Sequence, residues 1–128
     1  MTSTKESWTF PASDAAPALA RSAASSLRNR VPADRLDDIL LLVSELITNS
    51  VRHAGLAGGD LIELHVDVDT GTVRVEVIDP GPGFAADPAD PNPDQGSGWG
   101  LHLVELLAQR WGVATRGART VTWFELSL

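Results

Sequence analysis

The chain has 128 residues, a net charge of -7 and no cysteine, and 43% of its residues are hydrophobic. This length and composition predict one globular domain over residues 1–128. The acidic balance argues against a direct nucleic-acid binder, because few cations are available to displace phosphate counterions. The lack of cysteine excludes a disulfide framework and a thiolate zinc site. No apolar signal segment opens the sequence and no apolar run approaches about 18 residues, so we expect a cytoplasmic protein without membrane contact.

In chain order, the first predicted elements are a short strand and a helix rich in small residues. Ser7–Phe10 is typical of an edge strand. A helix then begins with Ser13 or Asp14 as its N-cap and runs to about Arg30. Its exposed arginines are most simply a solvated face, although a partner surface is an alternative.

The segment Leu36–Ala54 predicts the central helix of the fold. Its apolar residues recur at helical spacing and form one arc: Leu36, Ile39, Leu40, Val43, Leu46, Ile47, Val51 and Ala54. The residues expected to face water on the opposite side are Asp37, Ser44 and Thr48. Glu45, Asn49 and His53 are spaced i, i+4, i+8, so they form a stripe along the edge of the arc. Such a stripe is well placed to line a pocket, and the simpler alternative is an amphipathic helix with a polar margin.

The rest of the chain predicts four strands, a long loop and a short helix. The strands alternate apolar and polar residues and are Leu61–Asp69, Thr72–Ile78, Trp111–Thr115 and Thr120–Leu128. A turn at Thr70-Gly71 joins the first two into a hairpin. Asp79–Gly100 is rich in proline and glycine, which is typical of a functional loop or lid. Leu101–Gln109 is the predicted short helix.

Two glycine motifs lie in the predicted loop. Asp79-Pro80-Gly81-Pro82-Gly83 follows a strand, where glycines let the backbone approach a ligand and the aspartate can accept a hydrogen bond from a purine amino group. Gly96-Ser97-Gly98-Trp99-Gly100 opens into a helix, whose N–H groups and dipole favour a phosphate. It is neither a dinucleotide fingerprint nor a Walker A loop. Each motif alone is also compatible with an ordinary turn.

The order and spacing of these motifs are more specific than each motif alone. Glu45-x-x-x-Asn49-x-x-x-His53-Ala54, then Asp79-x-Gly81-x-Gly83, then Gly96-x-Gly98-x-Gly100-Leu101 resembles the GHKL, or Bergerat-fold, ATP-binding domain of gyrase, Hsp90, histidine kinases and MutL. The chain is similar to its small members, the anti-sigma factor serine kinases of the RsbW and SpoIIAB type. This resemblance implies an α+β fold, a two-layer α/β sandwich with a mostly antiparallel sheet and helices on one face.

The resemblance also implies a role for each matched residue. Asn49 would bind a Mg²⁺ that also contacts the triphosphate of ATP. Glu45 would be the catalytic general base for an attacking serine hydroxyl or water. Asp79 would bind the adenine amino group. The other implied nucleotide contacts are His53, Gly81, Gly83, Gly96, Gly98, Trp99, Gly100, Leu101 and Thr120. Thr122 competes with Thr120, which we favour, and a structural role for His53 at the helix end is favoured over a catalytic one.

The implied function is an ATP- and Mg²⁺-dependent serine/threonine protein kinase that acts as an anti-sigma factor. It would bind a sigma factor and phosphorylate an anti-anti-sigma partner of the STAS type, and family members are commonly homodimers. The predicted lid, Phe84 to Gln95, contains three aspartates and no lysine or arginine, so we expect strong Mg²⁺ dependence and slow turnover. One alternative is a nucleotide-dependent module that sequesters a partner with little phosphotransfer. Another is a generic fold with incidental glycines.

Overall fold

The computed structural model describes residues 4–53, 60–80 and 97–128, with the backbone alone for His53 and residues 97–101. Its elements are β1 (Thr4–Pro11), α1 (Ala16–Ala24), a 3-10 turn (Ser25–Asn29), α2 (Ala33–His53), β2 (Leu61–Val68), β3 (Thr72–Asp79), α3 (Ser97–Leu107), β4 (Arg110–Arg116) and β5 (Arg119–Ser127). Within these described ranges, no helix combines the length and the apolar character needed to cross a membrane.

The five strands form one sheet in the order β1-β2-β3-β5-β4, and each neighbouring pair is antiparallel. Alternate residues on β2 and β3 are buried, as the sequence pattern predicts. These side chains pack with those of the helices into one core cluster, which places the helices on one face of the sheet. The predicted fold class, an α+β sandwich with a mostly antiparallel sheet, is therefore confirmed.

Helix α1 differs from the prediction at both ends. Neither predicted N-cap residue is used, because Ala15 occupies the N-cap position and no side chain caps the helix. A proline in the first turn favours this start, since its fixed φ suits a helix and it lacks an N–H that would need a partner. The helix ends at Ala24, and the chain continues as the 3-10 turn. Its buried residues are Ala16, Ala20 and Ala24. These small side chains allow α1 and α2 to pack closely.

Helix α2 is covered on more sides than its apolar arc predicts. Ser44 and Thr48 were expected to face water but are half-buried. The reason is α1, whose Arg21 donates a hydrogen bond from Nη1 to Ser44 Oγ at 2.7 Å. The Thr48 hydroxyl donates to the Ser44 carbonyl at 2.7 Å, so it is satisfied within its own helix. Leu42, outside the predicted arc, is fully buried. Helix α2 is thus held between the sheet and its neighbouring helices.

Candidate functional site

A group of polar side chains is buried near one end of α2 and the adjoining strands. Each is at most 2% exposed: Asn49, Ser50, Asp79, Thr120 and Thr122. Leaving such a group without a hydrogen bond in the interior costs about 1–3 kcal/mol. We call these five residues the buried polar cluster. The cluster marks the part of the core where amide, hydroxyl and carboxylate groups are buried among apolar side chains.

Helix α2 supplies the stripe that the sequence predicts. The helix is continuous from Ala33 to His53, so Glu45, Asn49 and His53 succeed one another at one-turn intervals on one side. Glu45 is half-buried and Asn49 is 1% exposed. A carboxylate at the edge of the interior therefore lies one helical turn from a buried amide. The side chain of His53 lies outside the described part of the structure.

Asp79 joins the end of β3 to α2 through a residue that sequence reasoning missed. The Ser50 hydroxyl donates a hydrogen bond to Asp79 Oδ2 at 2.8 Å, and both side chains are buried. A signal for Ser50 was present in the sequence. It follows Ile47 by three residues and Leu46 by four, so it lies on the apolar side of the helix. A polar residue at such a position requires a buried partner, and Asp79 provides it.

The strand register separates the two candidate threonines. Thr120 lies directly opposite Asp79 in the β3–β5 pair, whereas Thr122 lies opposite Val77. Directly opposed residues have Cβ atoms about 4.5–5.5 Å apart, so Thr120 is the threonine adjacent to the carboxylate. The Thr122 hydroxyl oxygen is buried and has no hydrogen-bond partner among the described residues. Thr120 is therefore the threonine beside the Asp79 carboxylate, and Thr122 lies one pair further into the core.

The glycine motifs are described only in part. Three predicted contacts and the predicted lid lie outside the described residues: Gly81, Gly83, Gly96 and Phe84 to Gln95. Four others lie in α3: Gly98, Trp99, Gly100 and Leu101. The prediction that the helix begins at Leu101 was wrong, because it begins at Ser97 and takes the second glycine motif into its first turns. The first four N–H groups of a helix lack intrahelical acceptors, so this segment retains the donors that an anion site needs.

The opposite face of the sheet also carries polar residues, but in exposed or half-buried positions. One row crosses all five strands in register and alternates in charge: Lys5, Asp67, Arg74, Glu125 and Arg110. Glu125 lies 2.8 Å from Arg74 and 2.6 Å from Arg110. The Arg74 guanidinium carbon also lies 4.1 Å from the ring centroid of Trp123. We call this row the charged row.

The pKa values of two carboxylates on this face are lowered. The pKa of Glu63 lies below the ordinary value of a glutamate, chiefly because His65 donates a hydrogen bond to it and Arg119 adds a second hydrogen bond and a positive charge. Burial is the largest single effect on Glu125 and raises its pKa. The hydrogen bonds and charges of Arg74 and Arg110 together outweigh burial, so the pKa of Glu125 is also lowered. Both carboxylates are therefore stabilised in the ionised form by cationic neighbours.

A depression of about 340 Å³ lies on this charged face, away from the buried polar cluster. Its lining residues include Ser7, His65, Asp67, Arg74 and Glu76. The depression is open, and several of these side chains are already ion-paired. We therefore assign the candidate site to the buried polar cluster and the first turns of α3.

The fold places the protein in the class of ATPase-like nucleotide-binding domains. Residues 10–126 match the family model of the histidine kinase-like ATPase domain, and the chain belongs to this family. Membership implies nucleotide binding, and it confirms the broader of the two resemblances found in the sequence. No curated protein sequence matches the chain significantly.

Solved structures with the same fold include two bacterial histidine kinases and a domain pair. The RsbU and RsbW domains of Rv1364c from Mycobacterium tuberculosis superpose with a TM-score of 0.71 at 21% identity, covering 96% of this chain and 32% of that chain. The blue-light activated histidine kinase EL346 of Erythrobacter litoralis superposes with a TM-score of 0.62 at 28% identity, covering 93% of this chain and 42% of that chain. The histidine kinase AdeS of Acinetobacter baumannii superposes with a TM-score of 0.57 at 15% identity, covering 95% of this chain and 67% of that chain. The chain thus spans about a third of the first structure and under half of the second.

Proposed function

We propose that this protein binds ATP with Mg²⁺ and acts as a serine/threonine protein kinase, in the role of an anti-sigma factor that phosphorylates an anti-anti-sigma partner. The observation that carries the proposal is the buried polar cluster beside a half-buried glutamate on α2. Burial of an amide and a carboxylate costs free energy unless both are hydrogen-bonded, and a nucleotide site of the proposed kind uses both groups as ligands.

At the nucleobase end of the proposed site, Asp79 accepts a hydrogen bond from the adenine amino group. Thr120 lies opposite it and supplies a hydroxyl on the same face of the sheet. Gly81 and Gly83 follow Asp79 in the sequence and would let the base lie against the backbone. The N–H groups at the start of α3 would bind phosphate oxygens.

Asn49 fits a Mg²⁺ ligand by its chemistry, because an amide oxygen is a hard donor of the kind this ion prefers. Within the described ranges, no group of three or more histidine, cysteine, aspartate or glutamate residues could hold a metal ion by itself. A site with one protein ligand suits a Mg²⁺ that arrives with the nucleotide and keeps several waters. When bound, the ion would neutralise charge on the phosphate oxygens.

Glu45 lies one turn before Asn49 and is proposed as the general base. The hydroxyl oxygen of the partner serine attacks the γ-phosphorus, and the bond between that phosphorus and the β–γ bridging oxygen breaks. The hydroxyl proton passes to the Glu45 carboxylate, and ADP leaves with the electron pair of the broken bond. The half-buried position of Glu45 leaves one side accessible to a partner residue.

The partner assignment is supported by the structural likeness to the RsbU and RsbW domains of Rv1364c. We propose a sigma factor and an STAS-type anti-anti-sigma protein as partners, with a homodimer as the assembly to test. These partners act in the cytoplasm, which is the location that the sequence predicts.

A second candidate function is a nucleotide-dependent sequestering module with little phosphotransfer. The sequence from Phe84 to Gln95 favours it, because three aspartates and no lysine or arginine are expected near the γ-phosphate. Such a segment provides no cation to stabilise charge in the transition state.

The test begins with calorimetric titration of ATP and ADP in the presence and absence of Mg²⁺. Purified protein is then incubated with γ-labelled ATP and candidate STAS-type partners. Transfer of label to a partner serine that is lost in Glu45→Ala supports the kinase. The matched control is Asp37→Ala, which removes an exposed carboxylate from the same helix and should leave transfer unchanged.

Nucleotide binding without any label transfer would favour the sequestering module instead. Absence of ATP and ADP binding at millimolar concentration would overturn both candidate functions.

A further inference from the structure

The two outer strands of the sheet differ in how their free edges are protected. β4 is the last strand on one side, and within the described ranges it pairs with β5 alone. An uncovered edge offers unpaired backbone N–H and C=O groups to another strand. We propose that the free edge of β4 binds an extended, acidic segment of a partner protein by adding it to the five-stranded sheet as a further strand. This docking surface does not depend on the proposed nucleotide site.

The sequence of β4 leaves its edge less protected than that of β1. Strand edges are commonly protected by charged residues along the strand, by proline or by a bulge. β1 has Lys5 and Glu6 along its length and ends in Pro11. β4 carries charge only at its two ends, Arg110 and Arg116. The segment between these arginines, WGVAT, is uncharged and contains no proline.

The hairpin between β4 and β5 determines which backbone groups of β4 are free. Arg116 and Arg119 flank a two-residue turn, in which Gly117 has a φ of 61°. The residues that flank such a turn exchange both backbone hydrogen bonds, and bonded pairs then alternate along the ladder. Three residues of β4 therefore direct their N–H and C=O groups toward the free edge: Trp111, Val113 and Thr115.

The side chains of β4 leave room for a neighbouring strand on the face of the sheet opposite the helices. Between Arg110 and Arg116 this face carries only Gly112 and Ala114. The Trp123 ring lies over Gly112, since a Cβ atom there would be 2.9 Å from the ring nitrogen. The ring provides an apolar contact for a side chain of the added strand. Tryptophan and arginine are both enriched at protein–protein interfaces.

The charge of the β4–β5 hairpin indicates an acidic partner. The side chains of Arg110, Arg116 and Arg119 are 71%, 59% and 52% exposed, although each is paired with a glutamate. An arginine has five N–H donors and a bidentate pair uses two of them, so each side chain can also bind a carboxylate of a partner. These exposed cations lie on one hairpin of a chain whose net charge is -7.

The same charges disfavour a second copy of this chain as the occupant. If two β4 strands paired antiparallel over their full length, Arg110 would face Arg116 of the partner subunit. Like charges directly opposite one another destabilise a strand pair. Carboxylates six positions apart on an acidic segment would instead face both arginines. The spacing of Arg110 and Arg116 therefore specifies the chemistry of the partner.

The experiment uses a fluorescein-labelled peptide, Glu-Thr-Val-Thr-Val-Thr-Glu, whose two glutamates have the spacing of the two arginines. Fluorescence anisotropy measures its binding to wild type and to Thr115→Pro. Proline at this exposed position removes an outward N–H and leaves the bonds to β5 in place. We expect Thr115→Pro to weaken binding about tenfold. The matched control, Thr115→Val, retains the N–H and should bind the peptide as wild type does.

A second comparison tests the charge. A control peptide with glutamine in place of both glutamates should bind wild type about tenfold more weakly. Arg116→Gln should weaken binding of the acidic peptide about threefold and change that of the control peptide by less than about twofold. Amide hydrogen exchange gives a structural readout. The acidic peptide should slow exchange at Val113 and Thr115 more than at Ala114, whose N–H points toward β5.

Equal affinity of Thr115→Pro and Thr115→Val would overturn the proposal, as would equal binding of the two peptides or no binding at about 1 mM. If Thr115→Pro does not fold, N-methylation of the central threonine of the peptide blocks the bond to Val113 and should cause the same loss. Sedimentation measures the oligomeric state. A wild-type dimer that dissociates in Thr115→Pro would assign the edge to a second copy and overturn the acidic partner. Failure of nucleotide binding would leave this inference unaffected.

Discussion

The two faces of the sheet carry polar side chains under opposite physical conditions. On the helix-covered face, Asp79 and Thr120 are buried at 1% and 2% exposure. On the opposite face, Arg74 and Glu125 are half-buried and pair with one another and with neighbours at the surface. Both sets lie on adjacent strands β3 and β5, so the same backbone supports both.

The difference in burial distinguishes the candidate site from the ion pairs at the surface. A carboxylate in the interior costs free energy unless it is paired or hydrogen-bonded, and Asp79 accepts its hydrogen bond from the buried Ser50 hydroxyl. Exposed ion pairs contribute only about 0–1 kcal/mol each because water and salt screen them. The charged row is therefore a surface feature of small energetic weight, whereas the buried polar cluster is the site that we propose for binding.

Removal of one carboxylate from each face of β3 tests which face of the sheet binds the nucleotide. Asp79→Ala should weaken ADP binding about 100-fold, because it would remove the charge-assisted hydrogen bond that we propose to the adenine amino group. Glu76→Ala removes a carboxylate three residues earlier that pairs with Arg74 and Arg116 on the opposite face. Its ADP affinity should equal that of wild type. Calorimetry checks both.

Comparable losses in the two variants would contradict the assignment of the site to the helix-covered face. The folded fraction of Asp79→Ala is measured by circular dichroism, so that loss of binding is not confused with loss of structure.

Much of this architecture could be predicted because the spacing of apolar and polar residues can be read from a short stretch of sequence. Alternation in Leu61–Asp69 and Thr72–Ile78 fixes which side chains enter the core, and both strands are found within one residue of their predicted ends. The stripe of Glu45 and Asn49 follows from helical spacing alone. The fold class then required a resemblance, since periodicity does not determine the order of strands.

What could not be predicted depends on contacts between distant segments. The burial of Ser44 results from α1, whose Arg21 precedes it by 23 residues. The position of Thr120, rather than Thr122, opposite Asp79 requires the β3–β5 register, which no local pattern contains. The start of α3 at Ser97 was missed because glycines are poor helix formers and indicate a loop. Tertiary packing decided each of these cases.

The packing next to the charged row can be disturbed by a substitution at Gly112 on β4. A Cβ atom at Gly112 would lie 2.9 Å from Trp123 Nε1, so Gly112→Ala should displace the ring on which Arg74 stacks. We expect the free energy of unfolding to fall by about 1–2 kcal/mol, as in other overpacked sites. Urea denaturation measures the change.

Gly71→Ala is the matched control, since nothing lies within 4 Å of a Cβ placed there and the glycine φ is not positive. Its stability should stay at or slightly above that of wild type. If Gly112→Ala is as stable as this control, then Trp123 is not a fixed part of the charged face. ADP affinity of the folded Gly112→Ala protein should be unchanged.

A third prediction concerns the pH dependence that the charged face confers. The pKa of Glu125 in the folded protein lies below 4.5, so its ion pairs stabilise the fold fully above that pH. This contribution is lost as the pH falls below 4.5 and through the folded pKa. In Glu125→Gln the free energy of unfolding should therefore decrease less steeply on acidification toward about pH 3. Urea titrations at a series of pH values check the slope, and identical slopes would contradict the assignment.

The smallest expected effect separates screened pairs from buried ones. Arg119 is exposed and pairs with Glu63, so Arg119→Ala should lower the free energy of unfolding by less than about 1 kcal/mol at low salt. The difference from wild type should disappear near about 1 M salt, where the Debye length is about 3 Å. Asp79→Ala is the contrasting variant, because the Asp79 carboxylate is 1% exposed and its effect on ADP binding should persist at the same ionic strength. Thermal unfolding and calorimetry at two salt concentrations test this, and a salt-insensitive Arg119→Ala effect would place Glu63 in a less solvated environment than its exposure indicates.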